Sequence, residues 1–184
     1  MRLFAALALP SPQQAELAGS VAGALDLAGL RPVPPEQRHL TLAFYGDVSS
    51  DVVPELTERL ERGARRTPAL RLRLSHLGAF PKPARARILW AGVDGDIDTL
   101  RRLAERCVAA GTRSGVAMES RAYRPHVTIG RARGEPLDLR AVVESSLDGT
   151  AWEATSFSLV HSVLGSQAVH TTLATFALGG GQRE

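Results

Sequence analysis

The sequence predicts an α+β fold of two pseudo-symmetric lobes, each running β-α-β-α-β. Three observations point there. Short apolar segments of two-residue period alternate with segments of helical period. The same order begins again near residue 87. A His-x-Thr pattern then stands at the matching place in each round, in "HLTLAFYGD" and in "HVTIGRAR". The 184 residues suffice for one compact unit, so the expectation is a single two-lobed domain. Its internal repeat covers roughly 2–80 and 87–166, and a C-terminal strand over 169–178 is added.

Residues 2–9 read as a strand, and "SPQQ" then supplies a helix start. Ser11 is the expected N-cap, Pro12 takes the first helical position and Gln14 follows three residues after the cap. Leu17, Val21, Leu25 and Ala28 mark the buried face at helical spacing, and Gly29 with "RPVPP" ends the helix. The next strand is 39–45. "SSD" caps a second helix with Val53, Leu56 and Leu60 on one face, stopped by "RGARRTP". Leu70, Leu72 and Leu74 alternate with Arg71, Arg73 and Ser75, the pattern of a strand with one wet face. "PKPARAR" reads as a loop.

The second round is strand "RILWAGV", a helix from about 96 to 112, and strand "HVTIGR". A short helix with Leu139, Val142, Val143 and Leu147 follows, then strand "SFSLVHSVLG" and the added "VHTTLATFAL". His39 follows Arg2 at nearly the offset at which His126 follows Arg87, and "LSHLG" echoes "LVHSVLG". Such matching spacing is the mark of an internal duplication.

Composition excludes several classes. Hydrophobic residues make up 44% and charged residues 22%, near the globular average. The N-terminal run "LFAALALP" is too short for a secretory or membrane-spanning segment, so the chain is expected to be cytoplasmic, with no membrane partner. The single cysteine, Cys107, lies in a helical pattern and reads as a buried small side chain. The net charge is +3 with a single lysine, so nearly all the positive charge is arginine. Guanidinium groups bind phosphate bidentately and stack on bases, which favours an RNA or phosphate partner. An Arg- and Ala-rich composition inherited from a GC-rich genome would look the same.

The two His-x-Thr patterns carry the chemistry. Residues i and i+2 of a strand share a face, so His39 pairs with Thr41 and His126 with Thr128, while Leu40, Leu42, Val127 and Ile129 point to the core. A duplicated unit packed about a pseudo-two-fold axis brings equivalent positions together, setting two imidazoles across one groove. Two histidines supply an acid and a base near neutral pH. The threonine hydroxyls could hold non-bridging phosphate oxygens, and Arg131 could offset charge developing on phosphorus. The sequence has no HExxH, CxxC, GxxxxGKS, GxGxxG or GxSxG, and no acidic residue within the two strands to complete a metal site. His76 and His161 extend the apolar registers of their strands and read as structural. His170 could line the groove. Phe44 and Tyr123 could stack a base, although aromatics in or beside strands more often fill a core.

"HLTLAFYGDV" and "YRPHVTIGRAR", with "LGAFPKPARARILWAGV" between them, resemble the RNA 2′,3′-cyclic phosphodiesterases of the two-histidine phosphoesterase superfamily, historically called 2′-5′ RNA ligases. The resemblance runs from "RLFAALALP" to the "SVLG" strand, close to the full length. It implies antiparallel-rich sheets forming a central groove, helices outside, and both histidines on the groove floor. It further implies hydrolysis of an RNA terminal 2′,3′-cyclic phosphate to a 2′-phosphate, without metal or cofactor, and reversal to 2′-5′ ligation as a side activity.

On that pattern His39 is the general acid and His126 the base, or the reverse, while Thr41 and Thr128 hold phosphate oxygens. Arg131 and Phe44 match substrate-binding positions. The implied partner is an RNA with a cyclic phosphate end, tRNA fragments being one candidate, and the chain is expected to be monomeric. Two departures affect substrate-end contacts: His170 stands where many relatives carry an aromatic, and His161 precedes the penultimate strand's serine where Arg or Glu is common. Two rival readings stay open. One is hydrolysis of a small cyclic phosphate, such as a cyclic nucleotide or ADP-ribose cyclic phosphate. The other is a non-catalytic module that binds RNA ends.

Overall fold

A computed structural model describes residues 1–27, 29–165 and 168–179. Among these residues lie nine strands, β1 (Arg2–Ala8), β2 (Leu30–Pro32), β3 (His39–Asp47), β4 (Leu70–Phe80), β5 (Ile88–Gly95), β6 (His126–Ala132), β7 (Trp152–Ala154), β8 (Ser156–Val163) and β9 (Val169–Ala177). The helices are α1 (Ser11–Leu27), α2 (Val53–Arg65), α3 (Ile97–Arg113) and the single turn α4 (Arg140–Val143). The α+β class and the order of the long elements are as the periodicities predict. The loop expected at "PKPARAR" holds a 3₁₀ turn, Pro83–Arg85, and "SSD" forms a 3₁₀ turn, Ser50–Val52, leading into α2. The short strands β2 and β7 have too few residues to show a period.

The strands form one antiparallel sheet in the order β7-β4-β5-β6-β3-β1-β8-β9, with β2 pairing to β6. Its middle is weakly zipped, since β3 and β6 share the single registered pair Leu40↔Val127. Taken outward from that junction, the order is β3-β1-β8-β9 on one side and β6-β5-β4-β7 on the other. The sheet is thus two four-stranded halves meeting where the two His-x-Thr patterns begin.

One face of the sheet is sealed by helices. Leu17, Val21 and Leu25 of α1 are buried, as are Leu56, Leu60 and Ala64 of α2, so the i, i+3, i+4 spacing turns those stripes inward. Ala28, expected on the α1 stripe, lies outside the described residues. In α3 the inner stripe includes Leu100, Leu103, Cys107 and Ala110, and Tyr45 of β3 donates a hydrogen bond to the Cys107 carbonyl at 3.1 Å. Burial pushes the Cys107 thiol well above its usual range, consistent with a packing role. The strands contribute Leu40, Leu42, Val127 and Ile129 to this core, as their alternation requires.

The β5–α3 corner is set by Gly95, whose φ is 115° and whose absent side chain leaves room for the Arg71 carbonyl. Asp96 clamps the same carbonyl through its N–H at 3.0 Å and accepts the Arg71 N–H at 2.8 Å. A Gly95→Ala chain would combine a backbone conformation unfavourable to L-residues with a clash against main chain. It is expected to lose about 3 kcal/mol of stability, read by urea unfolding at constant m-value. An unchanged midpoint would show that the corner relaxes freely.

Candidate active site

The face opposite the helices carries the candidate site. His39, Thr41, His126 and Thr128 are half-buried and flank the buried Leu40↔Val127 pair, so all four project to that face. Two bulges extend the set. Between Ala5↔Ala43 and Ala6↔Thr41 the register slips at Leu42, and between Leu89↔Gly130 and Trp90↔Thr128 it slips at Ile129. Each slip inverts the facing of the residues beyond it. Phe44, five residues after His39, and Arg131, five after His126, are thereby turned onto the histidine face. Strict alternation would point both at the helices.

Each histidine ring is held from behind by backbone two residues upstream. His126 Nδ1 donates to the Arg124 carbonyl at 2.7 Å, and His39 makes a backbone hydrogen bond at Gln37. With Nδ1 carrying its proton toward the carbonyl, neutral His126 presents an unprotonated Nε2 to the groove. Phe4 lies against His39 with ring centroids 4.6 Å apart and planes 23° apart, and against Phe44 at 5.9 Å and 6°. Phe4, Ala6 and Val160 form a small apolar cluster on this face, separate from the main core. Phe44 is 48% exposed, with the Arg2 guanidinium 5.1 Å from its ring centroid.

His126 has its own aromatic surround, Phe80 at 5.0 Å and Trp90 at 5.9 Å between centroids. His76 joins it. The apolar register Leu70, Leu72, Leu74 predicts His76 on the core side, but a bulge between Leu74 and His76 rotates it onto the histidine face, where its ring meets Trp90 edge-on at 5.5 Å. That ring occupies the space a Cβ would take on Gly92, so the lack of a side chain there makes room for it. The core-side register expected for His76 is corrected accordingly, while the ring still packs, on Trp90 and over Gly92. His161 pairs with core Leu3 and keeps the register of Phe157 and Leu159. Tyr123 packs against the core, and its hydroxyl is buried.

His170 of β9 completes the cluster. Its ring is 5.4 Å from His39 and 5.2 Å from Phe4, edge-on to both. The involvement of Phe4 and Trp90 escapes the sequence reading, although "LF" in β1 and "LW" in β5 stand at matching places of the two rounds.

The electrostatics favour an anion. His39 is pushed down to about 4, first by burial and then by the cationic forms of His170, Arg131 and His126, against the Gln37 hydrogen bond. His126 is lowered by burial and by Arg131, opposed by its bond at Arg124. The charges acting on both rings are therefore all positive, and a bound phosphodiester would relieve them. Among the described residues no group of three His, Cys, Asp or Glu side chains is placed to hold a metal ion. In the same residues no helix is long and apolar enough to cross a membrane.

His170 is the strongest of the charges acting on His39. His170→Phe keeps the ring contacts and removes that charge, so the His39 titration seen by NMR is expected to move up from about 4 toward the ordinary histidine value near 6.5. A titration that stays put would assign the depression to burial and the remaining charges, Arg131 and His126.

The antiparallel sheet thus carries paired histidines, paired threonines and an arginine on one open face, groups whose chemistry suits a phosphoester. The model of the LigT-like phosphoesterases matches residues 7–90. RNA 2′,3′-cyclic phosphodiesterases resemble the chain further. That of Aeropyrum pernix is 35% identical over 78% of this chain and 84% of its own, and that of Thermus thermophilus is 31% identical over 98% and 91%. A crystal structure from Thermus thermophilus superposes with a TM-score of 0.83 at 30% identity, covering 98% of this chain and 99% of that one. Escherichia coli LigT complexed with 3′-AMP gives 0.79 at 28%, covering 96% and 97%. The chain belongs to the LigT-like phosphoesterase family.

Proposed function

We propose that this protein hydrolyses an RNA terminal 2′,3′-cyclic phosphate to a 2′-phosphate, without a metal, through His39 and His126. The observation that carries the reading is the convergence of two backbone-oriented imidazoles on the open face, with Arg131 acting as positive charge on both. The relatives named RNA 2′,3′-cyclic phosphodiesterase support the substrate class.

His126 Nε2 takes a proton from water, whose oxygen bonds to phosphorus in line with the 3′ oxygen. The P–O3′ bond breaks, and His39 delivers its proton to the departing oxygen, leaving a 3′-hydroxyl and a 2′-phosphomonoester. Thr41 and Thr128 donate to the non-bridging oxygens, and Arg131 balances charge gathering there. Phe44, exposed and backed by Phe4, offers a stacking surface for the terminal base. The depressed His39 needs its proton supplied with substrate, because the phosphate anion favours the imidazolium.

The reverse assignment has one observation in its favour. His39, held neutral most strongly in the free protein, is in the state a base requires. In either assignment, a 5′-hydroxyl replacing water gives 2′-5′ ligation without ATP. We further infer that residues 2–80 and 87–166 descend from one duplicated unit. The mirrored strand order and the equivalent bulges at Leu42 and Ile129 support this. The chain acts as a cytoplasmic monomer in this reading.

The test is incubation with a short RNA ending in a 2′,3′-cyclic phosphate, in EDTA, with the product's phosphate position determined. A 2′-phosphate is expected. Turnover of cyclic mononucleotides but not of the RNA would favour a small-molecule substrate. Binding without turnover would leave an RNA-end binding module.

A further inference from the structure

On the outer surface, across the sheet from the histidines, α2 and α3 enclose a cleft of about 120 Å³. Its walls are two facing rows of arginine. One row is Arg59, Arg62 and Arg66, at i, i+3 and i+7 along α2 and its C-cap; the other is Arg106 and Arg113, seven residues apart on α3. Helical spacing places each row on one stripe, extending about 10 Å along the axis. The floor between them is small, made by Gly63, Ala109 and Ala110, so the guanidinium groups stand above a trough.

The charges do not cancel. Arg59 is paired with Glu55 and Arg62 with Glu58, each on its own helix. Arg106 donates to the neutral Thr67 hydroxyl at 2.7 Å. Arg66 and Arg113 are exposed, and among the described residues Arg66, Arg106 and Arg113 have no carboxylate partner. A cleft with three uncompensated guanidinium groups, and no acid in its lining to match them, holds an anion of repeating charge better than a single carboxylate.

We propose that the α2–α3 cleft is a second RNA-binding surface, which grips the phosphate backbone of an RNA whose terminus lies in the histidine groove. This rests on the proposed function for the choice of RNA, and it makes the chain a reader of RNA size. A sheet and a helix layer separate the two sites, on the order of 20 Å. A dinucleotide spans only one of them; a folded RNA of tens of nucleotides reaches both. The contact is to backbone and carries no sequence preference of its own.

The double variant R66E/R113E tests this, with R66Q/R113Q as the milder change. Both side chains are exposed, and neither belongs to the histidine cluster. Binding of a labelled hairpin RNA of about 30 nucleotides ending in a 3′-hydroxyl is followed by fluorescence anisotropy across salt concentrations, a readout independent of hydrolysis. The expected result is at least tenfold weaker binding for R66E/R113E and a salt slope reduced by about two. Turnover of a cyclic-phosphate dinucleotide is expected to be unchanged, and KM for the long RNA raised. An unaltered salt slope in both variants overturns the proposal. So does equal damage to the dinucleotide reaction, which would mean that the substitutions act through the fold. Loss of binding to vesicles containing phosphatidylglycerol, with RNA binding retained, would also overturn it and make the cleft a membrane-facing patch. If the hairpin binds as expected and no cyclic phosphate is cleaved, the cleft stands while the proposed catalysis falls.

Discussion

Replacing His126 by alanine is expected to lower kcat on a cyclic-phosphate RNA by about 10²–10⁴-fold, and replacing His39 to do the same. Both rings sit on strands whose core side chains are untouched by the change, so folding should survive. A truncated imidazole leaves water to do proton transfer without the orientation that the Arg124 carbonyl gives His126. The two losses separate by leaving group. A substrate with sulfur in place of the 3′ oxygen departs as a thiolate and needs no proton. With it, the variant lacking the acid should recover most of its rate, and the variant lacking the base should not. Recovery in His39→Ala identifies His39 as the acid; recovery in His126→Ala reverses the roles. Wild-type activity in both single variants would remove the histidines from the chemistry altogether.

The repeated pattern is legible in the sequence because a strand's period is short and regular. His39, Thr41, His126 and Thr128 lie on one face for the reason their spacing implies, and Leu40 and Val127 are buried behind them. What alternation cannot show is the bulge. One extra residue at Leu42, at Ile129 and before His76 inverts the facing of everything after it, and nothing in the local composition marks the slip. Phe44 and Arg131 stand out by side-chain chemistry and by family resemblance, whereas a simple count of two would discard both. The same count sends His76 to the core. The aromatic packing of Phe4 and Trp90 around the two histidines is a tertiary fact, set by strand neighbours far apart in sequence. The α2–α3 cleft is hidden in another way. Each arginine row is visible at helical spacing, but their facing each other depends on two helices separated by two strands.

Thr41→Val and Thr128→Val are each expected to reduce kcat by about 10²-fold with little change in KM. Valine has the shape of threonine without its donor and is at home in a strand, so stability should hold or rise slightly. A hydroxyl that only grips the bound phosphate would be lost as KM, because ground state and transition state would suffer alike. A hydroxyl aimed at an oxygen that gains charge as the phosphorus becomes five-coordinate is lost as kcat. Thr→Ser restores the donor at the cost of the methyl group and should recover most of the rate. The double variant carries more information than either single one. If the two threonines hold different non-bridging oxygens, their losses should multiply to about 10⁴-fold, as independent sites do. If one oxygen is shared, the second substitution should cost far less than the first. The paired strands place the hydroxyls on either side of the junction, one from each half, and that separation favours the multiplied loss. A double variant no slower than the singles would mean that the repeated threonine serves one oxygen, and that the second hydroxyl repeats by descent and not by need.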